Sequence, residues 1–257
     1  MGQGAPRANL ATVRRLEAAG FRAWPARQSL YDGTWLLRLT PDHASKRLNC
    51  VNPLDPADGA EAAPRLAEAA RRFAAAGQVL TVRQSPLAPA PLVAHMAAAG
   101  WRSFSESIVM AADLGRAEPP GGVDLLPVRD LDRFAAARAR IEGEADGGAA
   151  AIAAVIGRIE AETGLFLLDN DAFGPAAVCL LVHDRTLAGI LQLAVHAGLR
   201  RQGTGSAILS AGLRWARLRG AEAAWLQVDA VNLPALALYR AFGFEEIYRY
   251  RYWRPAP

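Results

Sequence analysis

The sequence predicts an α/β (α+β) protein of two domains, and three observations carry that prediction. The stretch 186–220 reads as a strand (187–195), a short turn, the run Arg200-Arg201-Gln202-Gly203-Thr204-Gly205 and a helix stopped by Gly220. The order helix, strands, long helix, strand, short helix, Gly-aromatic pair, strand occurs once in each half of the 257 residues. Between the halves, Glu118-Pro119-Pro120-Gly121-Gly122 is the clearest linker signal. The domains are therefore set at 1–115 and 123–257, with 116–122 as the linker.

In the first half, 1–7 is a loose leader and Asn9 can cap a helix that runs to Ala19, with Gly20-Phe21 closing it. Strands are expected at 21–28 and 34–39, joined by the Asp32-Gly33 turn signal. Trp35, Leu37 and Leu39 alternate with Leu36 and Arg38, so one face is buried and the other can aim Arg38 at a pocket. A third strand, 47–51, ends at Asn52-Pro53. A helix (60–76) ended by Gly77, a strand (78–83), a helix (89–99) stopped by Gly100-Trp101 and a strand (105–112) follow.

The second half opens with a strand at 123–128, a helix capped by Asp130, and an acidic, glycine-rich stretch, 142–148, before a helix at 149–162. Strands 165–169, 176–183 and 187–195 come next. Beyond the helix that ends at Gly220 lie a strand (224–229), Asn232 as N-cap, Pro234 in the first helical turn, a short helix through Ala241, and Gly243-Phe244 as its stop. The tail 248–253 alternates Tyr-Arg-Tyr-Arg-Tyr-Trp. Interleaved arginine and tyrosine can stack on bases and pair with phosphates, but period-two alternation of β-favouring residues is also that of a last sheet strand, the reading adopted here.

A strand feeding a glycine-bearing loop at a helix start gathers unpaired N–H groups and the positive end of the helix dipole at one point, which is an anion site. Glycine at 203 and 205 leaves the backbone open to a phosphate. Asn232 and Tyr239 are seven apart, two helical turns, and share a face. Arg200-x-x-Gly203-x-Gly205, then Leu226-x-Val228, Asn232, Leu238-Tyr239 and Gly243-Phe244 form an ordered pattern. In these motifs the second half closely resembles the GNAT superfamily of acyl-CoA-dependent N-acyltransferases.

The resemblance implies two GNAT-like domains, each a mixed, mostly antiparallel twisted sheet flanked by helices. It implies N-acetyl transfer from acetyl-CoA to a primary amine of a small molecule or peptide. Cofactor contacts are then expected at Leu193, Ala194 and Val195, where the pantetheine arm pairs like an extra strand, and at Arg200, Arg201, Gln202, Gly203, Thr204, Gly205 and Ser206 around the pyrophosphate, with Asn232 and Tyr239 completing the set. Tyr239 is the implied proton donor to the leaving sulfur, against a reading as core aromatic; Asn232 can be a plain N-cap as well. Many relatives carry a glutamate on the strand before the loop, but the corresponding position falls near Gly189. His196 is taken as the catalytic base, with Asp229 or a water relay to Glu142, Glu144 or Asp169 as alternatives.

The first half departs from the pattern. Asn52-Pro53-Leu54-Asp55-Pro56 stands where the second half has its glycine loop; proline supplies no N–H and Asp55 repels phosphate. The first half also lacks Asn and Tyr on its short helix, with Met96 near the tyrosine position. A degenerate domain without bound acyl-CoA is expected.

Cys50 and Cys179 are expected free and buried, and the four histidines show no paired spacing, so no metal is expected. Lys46 is the sole lysine among 29 basic residues, and the net charge of +4 does not imply nucleic acid. No apolar run approaches the ~20 residues of a membrane span, and a cytoplasmic protein is expected. A non-catalytic acyl-CoA-binding regulator is the competing reading, because the strand glutamate is missing.

Overall fold

Asn9 opens the first helix as expected: its Oδ1 accepts from the Ala11 N–H at 2.9 Å, and α1 runs Leu10–Ala23. Gly20 does not end it. A Cβ at Gly20 would lie 3.1 Å from Gln227 Nε2 and 3.7 Å from the Trp225 ring, so the residue is small to permit close packing rather than a turn. The strand expected at 21–28 is absent, and β1 begins only at Gln28 (Gln28–Asp32). The computed structural model describes residues 9–115, 124–144 and 147–256, so the leader 1–7, the expected linker 116–122, Val123, Ala145 and Asp146 lie outside the described residues.

Two compact units are formed. One comprises α1 as far as Ala18, Ala26–Val109 and the final strand; the other comprises Ala19–Pro25 and Met110–Glu245.

In the first unit β1 and β2 (Trp35–Leu39) form a hairpin about Gly33, whose φ of +57° suits glycine. β3 (Cys50–Pro53) is antiparallel to β2. A 3-10 turn, Lys46–Leu48, replaces the start of the strand expected at 47–51, because Asn49 ties the loop to Thr40 and His43: its Oδ1 accepts from Thr40 N–H at 2.7 Å and its amide donates to His43 C=O at 2.7 Å. Then follow α2 (Ala62–Ala75), β4 (Val82–Gln84), α3 (Ala90–Ala98) and β5 (Arg102–Asp113); with the chain's last strand, β10 (Glu245–Arg254), the strand order is β1-β2-β3-β4-β10-β5. Trp35, Leu37, Val51, Leu66, Phe73, Val82, Leu92 and Met96 form the apolar core between one sheet face and α2 and α3.

The tyrosine-arginine tail is indeed a strand, β10 (Glu245–Arg254). Tyr248, Tyr250 and Tyr252 point inward, while Arg249 and Arg251 face out and pair with Glu106 at 2.8 and 3.2 Å. The strand does not close the unit that precedes it, as the 123–257 boundary anticipated. It pairs antiparallel with β4 through Arg251↔Gln84, Tyr252↔Arg83 and Trp253↔Val82, inside the first unit.

In the second unit a strand was expected at 123–128, and among the described residues of that range only Val128 makes a bridge, to Leu165. Asp130 caps α4 (Leu131–Glu142) by accepting from Arg133 N–H at 2.9 Å. α5 (Gly148–Ile156) stops well before the expected 162, where β6 (Glu162–Asn170) already begins. β7 (Gly174–Asp184), β8 (Leu187–Val195), α6 (Thr204–Leu218), β9 (Ala223–Asp229) and α7 (Leu233–Ala241) complete the unit. β7 is antiparallel to both of its neighbours, β6 and β8, and α6 crosses over to make β9 parallel to β8. Among the described residues no helix is long and apolar enough to cross a membrane.

Candidate functional site

The pairing of β8 with β7 steps from Val178↔Ala194 to Leu180↔Leu191, so Gln192 and Leu193 oppose Cys179 and β8 bulges. Gln192 takes φ +51°, a left-handed conformation unusual outside glycine. On its other side β8 pairs with β9 only from Leu187↔Ala223 to Ile190↔Leu226. The segment with Leu193, Ala194 and Val195 therefore extends past the last β9 pair, leaving strand edge that another extended chain can use. Arg200 reaches back to this edge, its Nε donating to Val195 C=O at 3.1 Å.

The loop after β8 is shaped by left-handed residues, Arg201 at φ +61° and Gly203 at φ +84°. Gly203 is the N-cap of α6, no side chain caps the helix, and the first helical bond runs from Ala207 N–H to Gly203 C=O at 2.9 Å. The N–H groups of Thr204, Gly205 and Ser206 thus project from the helix end. Gln202 donates to Gly198 C=O at 2.9 Å and Thr204 Oγ1 to Leu199 C=O at 3.2 Å, holding the loop to itself. A Cβ at Gly203 would meet nothing within 4 Å, and one at Gly205 would lie 3.5 Å from both Leu238 Cδ2 and Val195 Cγ2, ordinary contact distances. The protein's own packing does not require glycine at 205, although glycine costs a helix about 1 kcal/mol relative to alanine.

Those contacts also show what converges: the end of β8, the start of α6 and Leu238 of α7 meet at Gly205. Tyr239, the next residue, is buried, with its ring 5.9 Å from that of Phe244. Asn232 is the N-cap of α7, its Oδ1 accepting from Ala235 N–H at 3.1 Å, which leaves its amide hydrogens for other partners.

His196 follows the last residue of β8. Its Nδ1 accepts from Gly198 N–H at 3.3 Å and its ring lies 4.8 Å from that of Phe173. Of the carboxylates considered, Asp169 pairs with Arg133 at 2.6 Å and Asp229 accepts from Val231 N–H at 3.1 Å. Glu144 pairs with Arg138, whose Nε donates at 2.9 Å to Gln192 Oε1 on the bulge. Arg138 was missed by sequence reasoning, because nothing in the spacing shows that α4 lies over β8. The missing strand glutamate also has a physical reason: a Cβ at Gly189 would sit 2.7 Å from Trp225 Cζ2.

At the corresponding turn of the first unit, Asp58 accepts from Thr34 N–H at 3.0 Å and pairs with Arg65, on the first turns of α2, at 2.8 Å. The Arg65 guanidinium and Thr34 hydroxyl pull the Asp58 carboxyl down to about 2. Asp55 caps its own turn by accepting from Ala57 N–H at 3.1 Å. Both cysteines are free and buried, and burial pushes both thiols up. Among the described residues no group of three or more His, Cys, Asp or Glu is placed to hold a metal ion.

Residues 10–253 match the family described as "Probable histone acetyltransferase Rv0428c C-terminal". Over 80 residues the chain is 35% identical to [Ribosomal protein bS18]-alanine N-acetyltransferase of Escherichia coli (strain K12), which covers 31% of this chain and 53% of that protein. The chain thus spans about half the length of that relative. A GCN5-related N-acetyltransferase from Kribbella flavida superposes with a TM-score of 0.69 at 21% identity, covering 95% of both chains. A tandem GNAT protein from the clavulanic acid biosynthesis pathway superposes with a TM-score of 0.62 at 17% identity, covering 99% of this chain and 90% of that one. With a match that spans nearly its whole length, the chain belongs to the family described as probable histone acetyltransferase Rv0428c C-terminal, and its fold is that of the GNAT structures it superposes on.

Proposed function

We propose that the second unit transfers an acetyl group from acetyl-CoA to a primary amine. The observation that carries this reading is the open end of α6, where Gly205 is held against helix propensity, beside the unpaired end of β8. The fit to coenzyme A is chemical: uncapped N–H groups and a helix dipole suit the pyrophosphate, and open strand edge suits the amides of the pantetheine arm. Gly203, Thr204, Gly205 and Ser206 would hold the pyrophosphate through their backbone, with Arg200, Arg201 and Gln202 around it, and Leu193, Ala194 and Val195 would line the arm. Asn232 would contribute its free amide hydrogens.

Acetyl-CoA supplies the activated acyl group as a thioester. The chain's task is to present a neutral amine and to hold a proton for the departing sulfur. An alkyl amine with pKa near 10 is neutral about one part in a thousand at neutral pH, so the site must accept a proton from it. Tyr239 Oη holds the proton destined for sulfur, a role for which a positioned acid is worth about 10²- to 10⁴-fold. Glu144, held at the bulge through Arg138 and Gln192, takes the amine proton by way of water, with His196 at the end of β8 as the alternative base. The bS18 relative modifies an alanine amine; a peptide N-terminus and a small-molecule amine are both acceptors of the class proposed.

The absence of a carboxylate on β8 itself favours the second reading, a regulator that binds acyl-CoA without turning it over. Thiol release from acetyl-CoA across a panel of peptide and small-molecule amines separates the two. Amine-dependent release is expected; tight binding with no release on any amine would establish the regulator. The first unit, with proline and carboxylates at its turn, is proposed to bind no coenzyme A, and a structure showing coenzyme A against β3 and α2 would overturn that.

A further inference from the structure

The second face of the first unit's sheet, opposite the aliphatic core, is polar yet sealed. Arg83 on β4 is 3% exposed and donates through one terminal nitrogen to Glu17 Oε1 at 2.6 Å, and Glu17 is itself 2% exposed. Tyr248 Oη donates to the same Glu17 oxygen at 2.6 Å. The Cζ atom of the Arg83 guanidinium lies 3.6 Å from the centre of the Tyr250 ring. Its Nε–H, however, has no hydrogen-bond partner among the described residues, and neither does the hydroxyl of Tyr252, which is 1% exposed.

These two unsatisfied groups are not scattered. Tyr252 on β10 and Arg83 on β4 are direct cross-strand partners, so both side chains rise from the same spot on the same face. A third buried group, Arg38 on β2, interacts electrostatically with both, and burial draws it down to about 10, which leaves it charged at neutral pH. Among the described residues the fully buried charges of this face are thus two guanidinium groups and one carboxylate. A buried donor left unmet costs about 1–3 kcal/mol, so a neighbouring pair of them under surplus positive charge is a site that rewards an acceptor carrying negative charge.

The geometry points to a binding site in the first unit for a small monoanion, a carboxylate group or a halide, held between Arg83 Nε and Tyr252 Oη with Arg38 supplying charge. The two donors belong to one cross-strand pair, and a carboxylate offers two acceptor oxygens. Water is the poorer occupant, because it brings no charge and must place its own hydrogens among donors. The site is separate in sequence and in fold from the glycine loop, and it stands whether or not the second unit is an enzyme.

The test uses the full chain in buffer whose anion is methanesulfonate, with sodium acetate or sodium bromide exchanged in at constant ionic strength and melting followed by fluorescence. The expected result is a saturable rise in Tm with one or both probes; acetate alone assigns the carboxylate, and bromide alone the halide. Tyr252→Phe deletes an unmatched hydroxyl, so without probe it should melt at or above the wild-type temperature, while its affinity for the probe falls about ten- to hundredfold. Bromide-soaked crystals should show an anomalous peak about 3 Å from Tyr252 Oη. An identical, unsaturable response in wild type and Tyr252→Phe, or a map with water alone between the two residues, would overturn the assignment.

Discussion

Arg138 Nε donates to Gln192 Oε1 at 2.9 Å and so ties helix α4 to the bulge of β8, with Glu144 paired to the same arginine. If this chain of contacts presents the acceptor, Arg138→Ala should release both Gln192 and Glu144. We expect KM for the amine to rise about tenfold, KM for acetyl-CoA to stay within twofold, and the fold to survive, since a partly exposed hydrogen bond to a charged group is worth roughly 1.5–3 kcal/mol. Steady-state kinetics with each substrate varied checks this; equal effects on both KM values would place the contact in the scaffold.

Gly205 yields a prediction with opposite signs for stability and binding. Gly205→Ala should leave the free protein as stable or more stable, by up to about 1 kcal/mol, because a Cβ there meets only ordinary contacts. Coenzyme A affinity should fall, and Gly205→Asp should abolish it by repulsion. Melting curves with and without cofactor decide the matter. An alanine variant with unchanged cofactor affinity would remove the pyrophosphate from this position.

Tyr239→Phe keeps the ring against Phe244 and removes only the hydroxyl. Cofactor affinity should persist while kcat and kcat/KM fall together by about 10- to 1,000-fold. Wild-type turnover, measured where chemistry limits the rate, would leave Tyr239 a core residue.

Asp58 sets an acid limit for the first unit. Its carboxyl is depressed to about 2 by Arg65 and Thr34, so it contributes stability that is present above the ordinary carboxylate pKa and is lost as pH falls from about 4 through 2. Screened by solvent, the contribution is on the order of 1 kcal/mol. Asp58→Asn should flatten the stability profile across that window and leave the profile above pH 5 parallel to wild type, as read by denaturant titration at each pH.

The second unit was legible where local chemistry decides structure. Strand β8 was read to the residue, and the Asn232 cap and the Gly203 and Gly220 turns followed from side-chain hydrogen bonding and positive φ. The misreadings all have tertiary causes. Gly20 looks like a helix stop unless Gln227 is known to press on it. The bulge at Gln192 and the reach of Arg138 depend on which helix covers β8, and the turn at 46–48 depends on a single asparagine bonding across a loop.

The placement of β10 has a consequence in time. A ribosome completes residue 109 of the first unit and must add more than a hundred further residues before the strand that pairs with β4 exists. At about 5–20 residues per second the interval is roughly 7–27 seconds. Throughout it β4 lacks its neighbour and the Glu17–Arg83 pair lacks its tyrosine lid. The nascent first unit then carries an open strand edge on β4 until β10 has been made. Stalled chains ending at residue 244 should be cut by protease within 26–109 far faster than chains ending at 257, and equal resistance would show that the unit closes without its last strand.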